Sequence, residues 1–433
     1  MKPNYFWIVV VLAVSLPVVA QTPSYQNFTP PSGIASSAGE PSIGADWTTG
    51  KILFQAGLET DRITINPTNP ATATWENVTP LTSMVSLDPI LFTDPTTGRS
   101  FVSQLVGLCS LSSFTDNDGT SHTPAAGCGV PAGIDHQTIG GGPFAPAAVP
   151  LLPPPGGYQH AVYYCSQSIA DASCALSLDG GVTYGPAIPI YSLATCGGLH
   201  GHIKVGPDGA VYVPNKNCGG AQAVIVSTNN GLTWTVHTVP GSTPGDSDPS
   251  VAIGSDNTVY FGWHNGNGHP MVAVSRNHGV TWSNPLDVGA ALGIQNVAFP
   301  AMVAGDGDRG ALAFLGTTTG GNAQDPVNFT GVWHLFIAHT YDRSSSWTLA
   351  DATPNDPVQR GSICLQGTTC GQDRNLLDFI DATVDKQGRV LVGYADGCIG
   401  PCVTGPPNSF TSVGTIARQA TGKGLFVSFD GTF

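Results

Sequence analysis

The sequence predicts an all-β fold, a six-bladed β-propeller of four-stranded antiparallel blades. Three observations lead to this prediction. An octapeptide motif repeats at an interval near 50 residues, a strand-turn-strand pattern occurs six times, and Gly 55, Pro 35 and only 10% charged residues suit short strands and tight turns. A repeat of this length is typical of propellers and other arrays, in which each unit buries its apolar face against the next.

The octapeptide motif has the pattern S-x-[DN]-x-G-x-T-[WY]. Its copies, 177–184, 227–234 and 275–282, begin 50 and 48 residues apart. Asp or Asn can hydrogen-bond the backbone of a tight turn, Gly adopts positive φ without steric cost, and the aromatic ring can pack between sheets. The motif resembles the Asp-box, or BNR repeat, of the sialidase-like propeller superfamily, and with the blade pattern this resemblance covers nearly the whole mature chain.

The strand-turn-strand pattern places one blade after another along the chain. Its six copies cover 40–54, 88–102, 202–213, 248–263, 299–314 and 381–394. Apolar residues alternate or run continuously around a polar turn, as strands with a buried face require. The predicted blades span 40–80, 81–190, 191–240, 241–290, 291–350 and 375–433. Residues 21–39 are expected to add an edge strand that closes the ring.

The second predicted blade is much longer than the others. We interpret residues 107–159, which are rich in Gly, Pro and Ala, as an insertion in that blade. Two readings stay open, a surface excursion and a lid over a ligand, since long loops in compact domains are often functional.

The N-terminus has the pattern of a secretion signal. Lys2 precedes an apolar run over 6–19, and 18–20 is a small-residue cleavage site. We expect a signal peptide over 1–20 and one propeller domain over 21–433, secreted to the extracellular space or the periplasm and monomeric. An uncleaved anchor is the alternative, and no other segment is apolar and long enough to span a membrane. A formal net charge of −14 without a basic stripe makes nucleic acid and anionic membranes poor partners.

The ten cysteines fall as neighbours in sequence. In an oxidising compartment this favours five local disulfides. The expected pairs are Cys109–Cys128, Cys165–Cys174, Cys196–Cys218, Cys364–Cys370 and Cys398–Cys402. A four-thiolate zinc site from the last four cysteines is the rival interpretation.

Acidic and imidazole side chains stand at the predicted starts of the first strands. In sialidase-like propellers the motif turns lie on the face away from the ligand, so the resemblance implies that these starts surround the ligand site. As catalytic candidates we name Glu40, Asp88, Asp248, Asp381 and Tyr394. As substrate-binding candidates we name Arg62, His200, His202, His264, Arg374 and Asp378. Such groups can perform acid/base chemistry or bind a cation, or each can simply cap a strand.

The resemblance implies a sialidase site, with three arginines on the substrate carboxylate, a Tyr nucleophile assisted by Glu, and an Asp acid/base. Here Glu40-Pro41-Ser42 stands where that family has Arg-Ile-Pro. Tyr394 is the candidate nucleophile and Glu40 its activator, and the rival interpretation, which the sequence favours, is that Tyr394 is an ordinary packing residue. An acidic ring would repel an anionic sugar, and a neutral glycan, a cationic group or a bound Ca²⁺ suits it better.

Two function classes follow from this reading. The first is a carbohydrate-active glycoside hydrolase, with exo-sialidase activity as its sharpest form. The second is a non-catalytic propeller that binds a glycan, a protein or an ion. No metal site is assigned, because His200-Gly201-His202 is weak evidence for one and Asp116-Asn117-Asp118-Gly119 lacks the distal Glu of a calcium loop. Ca²⁺ stays open as a ligand of the acidic set.

Overall fold

The chain forms a seven-bladed β-propeller. The computed structural model describes residues 22–84, 86, 88–146, 157–168 and 171–433, and within them seven antiparallel sheets are present. The innermost strand of each sheet contacts the innermost strands of the sheets before and after it, and the first and last sheets also meet. The sheets therefore form a closed ring around a central channel.

The blades take their strands in sequence order from the channel outwards. Blade 1 comprises β2 (Ser42–Ala45), β3 (Ile52–Ala56), β4 (Glu59–Asn66) and β5 (Thr72–Asn77), and blade 2 comprises β6 (Pro89–Thr93), β7 (Ser100–Leu105), β8 (Ser110–Thr115) and β9 (Thr123–Ala125). Blade 3 comprises β10 (Asp135–Gly142), β11 (Ala161–Gln167), β12 (Asp171–Ser177) and β13 (Ile188–Ser192), and blade 4 comprises β14 (Lys204–Val205), β15 (Val211–Cys218), β16 (Ala221–Ser227) and β17 (Thr235–Thr238).

Blade 5 comprises β18 (Ser250–Ile253), β19 (Val259–His264), β20 (Pro270–Ser275) and β21 (Leu286–Asp287). Blade 6 comprises β22 (Asn296–Ala304), β23 (Gly310–Thr317), β24 (Val332–Thr340) and β25 (Thr348–Asp351), with β26 (Gln359–Arg360) also paired to β24. Blade 7 comprises β27 (Asp381–Val384), β28 (Val390–Asp396) and β29 (Val413–Thr421), and its outer strand is β1 (Ser24–Phe28). Short 3₁₀ helices lie at Ala290–Leu292, Gly367–Thr369, Gln372–Arg374, Gly400–Val403 and Val427–Phe429.

The predicted count of six blades is wrong, because the segment 81–190 contains two blades. Residues 107–159, predicted to be an insertion, include β8, β9 and β10, which complete blade 2 and begin blade 3. The prediction missed β10 because it holds three consecutive glycines in place of alternating apolar residues. A Cβ atom on Gly140 would lie 2.8 Å from Ile203 of blade 4, so the close approach of neighbouring innermost strands requires glycine there.

The ring closes through the N-terminal strand, as the sequence predicted. Strand β1 pairs antiparallel with β29, from Phe28 opposite Ile416 to Ser24 opposite Thr421. The outermost strand of blade 7 thus comes from the other end of the chain. This pairing ties the two ends of the described chain together and covers an edge that would otherwise be open to another chain.

The three motif copies adopt one turn, between the third and fourth strands of blades 3, 4 and 5. In the copy of blade 4, the Gly231 N–H donates to Ser227 Oγ at 2.9 Å, and the Thr233 N–H donates to Asn229 Oδ1 at 3.0 Å. Gly231 has φ of +77°, which explains the glycine. The turn leaves few backbone donors unsatisfied where the chain reverses.

Two further turns repeat these hydrogen bonds without the full motif. In the turn at 340–347, the Ser344 and Ser346 N–H groups donate to Thr340 and Asp342, each at 2.9 Å. The turn at 115–122 makes equivalent bonds from Gly119 to Thr115 and from Ser121 to Asn117. The Asp116–Gly119 segment within it is therefore part of a β-turn of blade 2.

The core lies between the blades, where apolar side chains from adjacent sheets interlock. Its largest buried residues include Trp263 and Trp333, both essentially inaccessible to solvent. All five predicted disulfides are present, and none of the described cysteines is free. Across the described part of the chain, no helix has the length and apolar character needed to cross a membrane.

Candidate functional site

The innermost strands begin around one mouth of the channel, and the motif turns lie at the opposite face because alternate turns of an antiparallel blade face opposite ways. The narrow upper part of the channel is lined by eight titratable residues, which we call the channel ring. The channel ring consists of Glu40, Asp88, His136, His200, His202, Asp248, Asp378 and Asp381. All seven blades, or the segments that lead into them, contribute to the lining at this level, although blade 6 supplies only Pro300 and Ala301.

A cleft with a volume of about 570 Å³ opens above the channel ring. Five ring residues form part of its floor: Glu40, Asp88, His136, Asp248 and Asp378. Its walls add Asp135, Asp246, Lys216 and Arg374, together with apolar residues such as Leu199, Leu365 and Leu377. Concave sites that combine apolar walls with a few convergent polar groups are the usual form of ligand sites.

Asp248 is the centre of a charged network. His136 Nδ1 lies 3.1 Å from Asp248 Oδ2, and Lys216 Nζ lies 3.2 Å from Asp248 Oδ1. Burial would raise the pKa of Asp248, but the charges of Lys216 and His136 outweigh it and lower the pKa below its usual range. Burial would likewise lower the pKa of His136, yet Asp248 raises it to about 10. Asp248 and His136 are therefore a fixed ion pair at neutral pH.

Glu40 lies beside this network and shares a side-chain hydrogen bond with Asp378. Its side chain is buried, and Oε2 accepts no hydrogen bond among the described residues. Burial raises the pKa of Glu40 well above its usual range, and the nearby Asp88 and Asp378 raise it further. The residue has φ of +56°, a left-handed conformation that costs a non-glycine residue about 1 kcal/mol or more.

Asp88 is the acidic neighbour of Glu40. Asp88 Oδ2 accepts a hydrogen bond from the backbone N–H of His136 at 2.7 Å, and no hydrogen bond to Oδ1 is seen in the described structure. Burial raises the pKa of Asp88, an effect that the charge of His136 partly offsets. Glu40 and Asp88 are thus two carboxyl groups that hold their protons more tightly than exposed carboxyls do.

His200 is neutral in this setting. Burial and the charge of His136 lower its pKa to about 4. Its Nδ1 lies 3.0 Å from the Gly201 carbonyl oxygen, which can only accept, so Nδ1 carries the proton. The other nitrogen, Nε2, is buried with no hydrogen-bond partner among the described residues. His200 therefore keeps an unpaired lone pair on a side chain that lines the channel.

Asp381 and His202 lie deeper in the channel. Asp381 accepts the Ile43 N–H at 3.1 Å and lies 3.9 Å from His202 Nδ1, while the ring of His202 packs edge-on against Phe379. Burial opposes ionisation of Asp381, but His202 and Lys204 lower its pKa below the usual value. Asp381 therefore connects blades 7, 1 and 4 as a charged structural link.

Arg374 and Asp378 form the rim of the cleft. Two guanidinium nitrogens of Arg374 donate to the two carboxylate oxygens of Asp378, at 2.7 and 2.6 Å. This bidentate pair raises the pKa of Arg374. The only arginine among the described residues that line the cleft is thus already bound to a carboxylate.

Four residues named from the sequence lie outside the channel ring, and of these only Arg374 lines the cleft above it. The structure does not bring Tyr394 together with Glu40, because the tyrosine is buried between blades and its hydroxyl donates to Asn27 of β1 at 3.3 Å. Arg62 lies on β4 and pairs with Glu76. His264 is buried at the end of β19 and lines a separate cavity between blades 5 and 6.

His136 is the ring residue that the sequence analysis missed, since its strand was assigned to an insertion. The other seven ring residues stand among those named from the sequence. The signal for His136 was present, because Asp135-His136-Gln137-Thr138 resembles the acidic or imidazole starts of the other first strands. Within the described residues, no group of three or more His, Cys, Asp or Glu side chains is arranged to hold a metal ion.

No protein-family profile matches the sequence, and no curated protein matches it. Solved structures match the fold at low identity. The chain is 16% identical to the GH74 enzyme of Niastella koreensis, covering 86% of this chain and 53% of that one with a TM-score of 0.53.

Two other structures match with lower scores. Hadza microbial sialidase Hz136 is 14% identical over 85% of this chain and 73% of its own, with a TM-score of 0.46. Aleuria aurantia lectin is 12% identical over 73% and 96%, with a TM-score of 0.44. At these identities the comparisons show a β-propeller fold and nothing about the reaction or ligand.

Proposed function

We propose that this protein is a secreted, glycan-binding β-propeller whose ligand occupies the cleft and reaches down to the channel ring. The observation that carries the proposal is the chemistry of the cleft floor, where buried acceptors without donors stand beside fixed charges. Sugars present many hydroxyl groups, each of which donates and accepts, and such a floor orients them. A carbohydrate ligand also agrees with the naming of the matched propellers as a GH74 enzyme, a sialidase and a lectin.

The charges of the cleft favour a glycan without acidic groups. Its lining contains six carboxyl groups and three basic side chains, and each basic side chain is already paired with Asp248 or Asp378. A sialic acid carboxylate would therefore meet no free arginine and an excess of negative charge. The sialidase resemblance in the sequence thus supports a related fold better than it supports a sialoside substrate.

Glycoside hydrolysis is the second candidate, and one observation favours it. Glu40 has a strongly raised pKa, as a general acid requires, and Asp88 beside it is the carboxyl that can act with it. Asp248 suits the role of base less well, because two cations hold its oxygens. In this reading Glu40 would protonate the leaving oxygen while Asp88 acts as base or nucleophile.

A glycan array with the full chain tests the proposal, and a panel of fluorogenic glycosides that includes a sialoside tests the second candidate. Wild type would be compared with Glu40→Gln and with Glu76→Gln, an exposed glutamate outside the cleft. Binding on the array that only Glu40→Gln weakens supports glycan recognition. Turnover abolished by Glu40→Gln would move the assignment to a glycosidase, and folded protein with neither binding nor turnover would contradict both.

We propose secretion on the basis of the five disulfides, which are typical of oxidising compartments. The predicted signal over 1–20 lies outside the described residues. Expression with the native N-terminus in a secreting host, followed by N-terminal sequencing of the exported protein, should give a new terminus near Gln21. An exported chain that keeps Met1, or a chain retained in the membrane, would contradict cleavage at this site.

A further inference from the structure

We infer that the channel ring binds a primary ammonium group carried by the glycan, so that the preferred ligand is an amino sugar with a free amine. The inference rests on the proposed glycan binding and specifies which sugar is bound. It comes from three features of the ring: acceptors without donors, the balance of charge, and the size of the space between them.

The first feature is a set of atoms that can only accept once Glu40 has lost its proton. Glu40 Oε2 and His200 Nε2 are both buried and both lack a donor among the described residues. His200 keeps its proton on Nδ1, facing the Gly201 carbonyl, so its Nε2 presents a lone pair. Asp88 contributes Oδ1, which is free of hydrogen bonds in the described structure. An ammonium group has three N–H donors and no acceptor, which complements this set.

The second feature is charge. The three basic side chains of the cleft are paired, His136 and Lys216 with Asp248, and Arg374 with Asp378. Four carboxyl groups remain without a cation: Glu40, Asp88, Asp135 and Asp246. A sugar hydroxyl would satisfy one acceptor, whereas an ammonium group satisfies several acceptors and also supplies the cation that these carboxyl groups lack.

The third feature is space. The space lined by the channel ring has a volume of about 30 Å³, which is room for one group the size of a water molecule. An ammonium group matches this volume more closely than the larger acetamido group does. The sugar ring itself would stay in the wider cleft above, so the amine enters the ring while the rest of the glycan contacts the cleft walls.

Proton release is the thermodynamic signature of this binding mode. Glu40 faces Asp88 and Asp378, which favour its neutral form, and His136, which favours its anion; Arg374 also lies near it. An incoming ammonium adds a positive charge to these neighbours, so Glu40 ionises and its proton leaves. Affinity for the amine should therefore increase with pH until the amine itself deprotonates.

The test uses the full chain and two probes of equal length, an oligosaccharide of glucosamine and its fully N-acetylated counterpart. Isothermal titration calorimetry in buffers of different ionisation enthalpy gives affinity and proton release together. We expect N-acetylation to weaken binding at least tenfold, and Glu40→Gln to weaken binding of the amine form by about 10- to 100-fold, since a charge-assisted hydrogen bond becomes a neutral one. Glu40→Gln should also abolish most of the proton release.

Glu76→Gln is the matched control and should bind as wild type does, and circular dichroism checks that each variant is folded. The comparison of the two probes needs no variant, so it stands even if Glu40→Gln does not fold. Equal affinity for both probes without proton release would overturn the inference. Binding of the acetylated probe alone would overturn the inference of an amine ligand but would still support glycan binding. Failure to bind either probe, together with a positive glycan array, would have the same two consequences.

Discussion

Asp61 offers a stringent test of how burial controls ionisation in this propeller. It lies on β4 of blade 1 with no exposed surface, and neither of its carboxylate oxygens has a hydrogen-bond donor among the described residues. Its neighbour Glu59 accepts hydrogen bonds from Asn77 and from the Ala35 N–H. Burial and the proximity of Glu59 raise the pKa of Asp61 to about 8. At neutral pH Asp61 should therefore be protonated.

The sign of the effect on stability follows from proton linkage. Between pH 4 and pH 8 the folded chain holds the Asp61 proton and the unfolded chain does not, so the free energy of unfolding falls as pH rises. A carboxyl with a pKa of 3.8 when unfolded and about 8 when folded sets an upper limit of roughly 5–6 kcal/mol on that loss, at about 1.4 kcal/mol per pH unit. Between pH 5 and pH 8, the same slope gives a loss of up to about 4 kcal/mol.

The perturbation is Asp61→Asn, since the amide has the shape of the protonated acid and can donate to Glu59. Chemical denaturation at pH 5 and at pH 8 would give the free energy of unfolding of wild type, Asp61→Asn and the exposed control Glu76→Gln. The stability of the Asn variant relative to wild type should increase by up to about 4 kcal/mol between pH 5 and pH 8. If the two proteins respond to pH alike, the reasoning is refuted.

Three other predictions address the ring and its turns. Removing residues 22–28 should expose the edge of β29, which should lower the unfolding temperature and promote self-association. Thermal unfolding and light scattering measure these two effects. A monomeric variant with an unchanged unfolding temperature would contradict the prediction. Ser227→Ala and Thr115→Ala should each lower the free energy of unfolding by about 1–2 kcal/mol, because a backbone N–H of the turn loses its acceptor. Chemical denaturation measures this change. A variant as stable as wild type would mean that water replaces the hydroxyl. Replacing Cys196 and Cys218 by serine should cost roughly 3 kcal/mol for a loop of this length. It should also weaken glycan binding, because Cys218 contacts Asn215, which pairs with His200. A variant that binds the glycan normally would show that the bridge does not position the imidazole.

The sequence predicted the features of this fold that repeat. The motif turns were visible because their hydrogen bonds require particular residues, such as Asn229 and Gly231, at fixed spacing. The first strands of the blades were predicted where apolar residues alternate. Most residues of the channel ring were predicted with them, because they stand at the starts of those strands. The close cysteine pairs allowed the disulfides to be paired correctly.

The seventh blade was hidden for physical reasons. Strand β10 packs so closely on blade 4 that Gly140 and Gly142 replace apolar side chains, and a Cβ on either would come within 3 Å of that blade. The turn at 115–122 keeps its hydrogen bonds while Thr115 stands in place of the motif serine and His122 in place of the aromatic residue. Tyr394 was named for its place near the channel in sequence, but alternation along β28 directs it between blades.

The two functional readings of the channel ring make incompatible demands on Glu40. A general acid must keep its proton until the transition state, whereas an acceptor for an ammonium group must lose its proton when the ligand binds. Burial and the neighbouring Asp88 and Asp378 hold the proton in the free protein, so the ligand decides which demand is met. A neutral sugar leaves Glu40 protonated, and a pH optimum bounded by the ionisation of Glu40 would follow for any turnover. A cationic sugar displaces the proton, converting Glu40 into part of the binding site and removing the acid that hydrolysis would need.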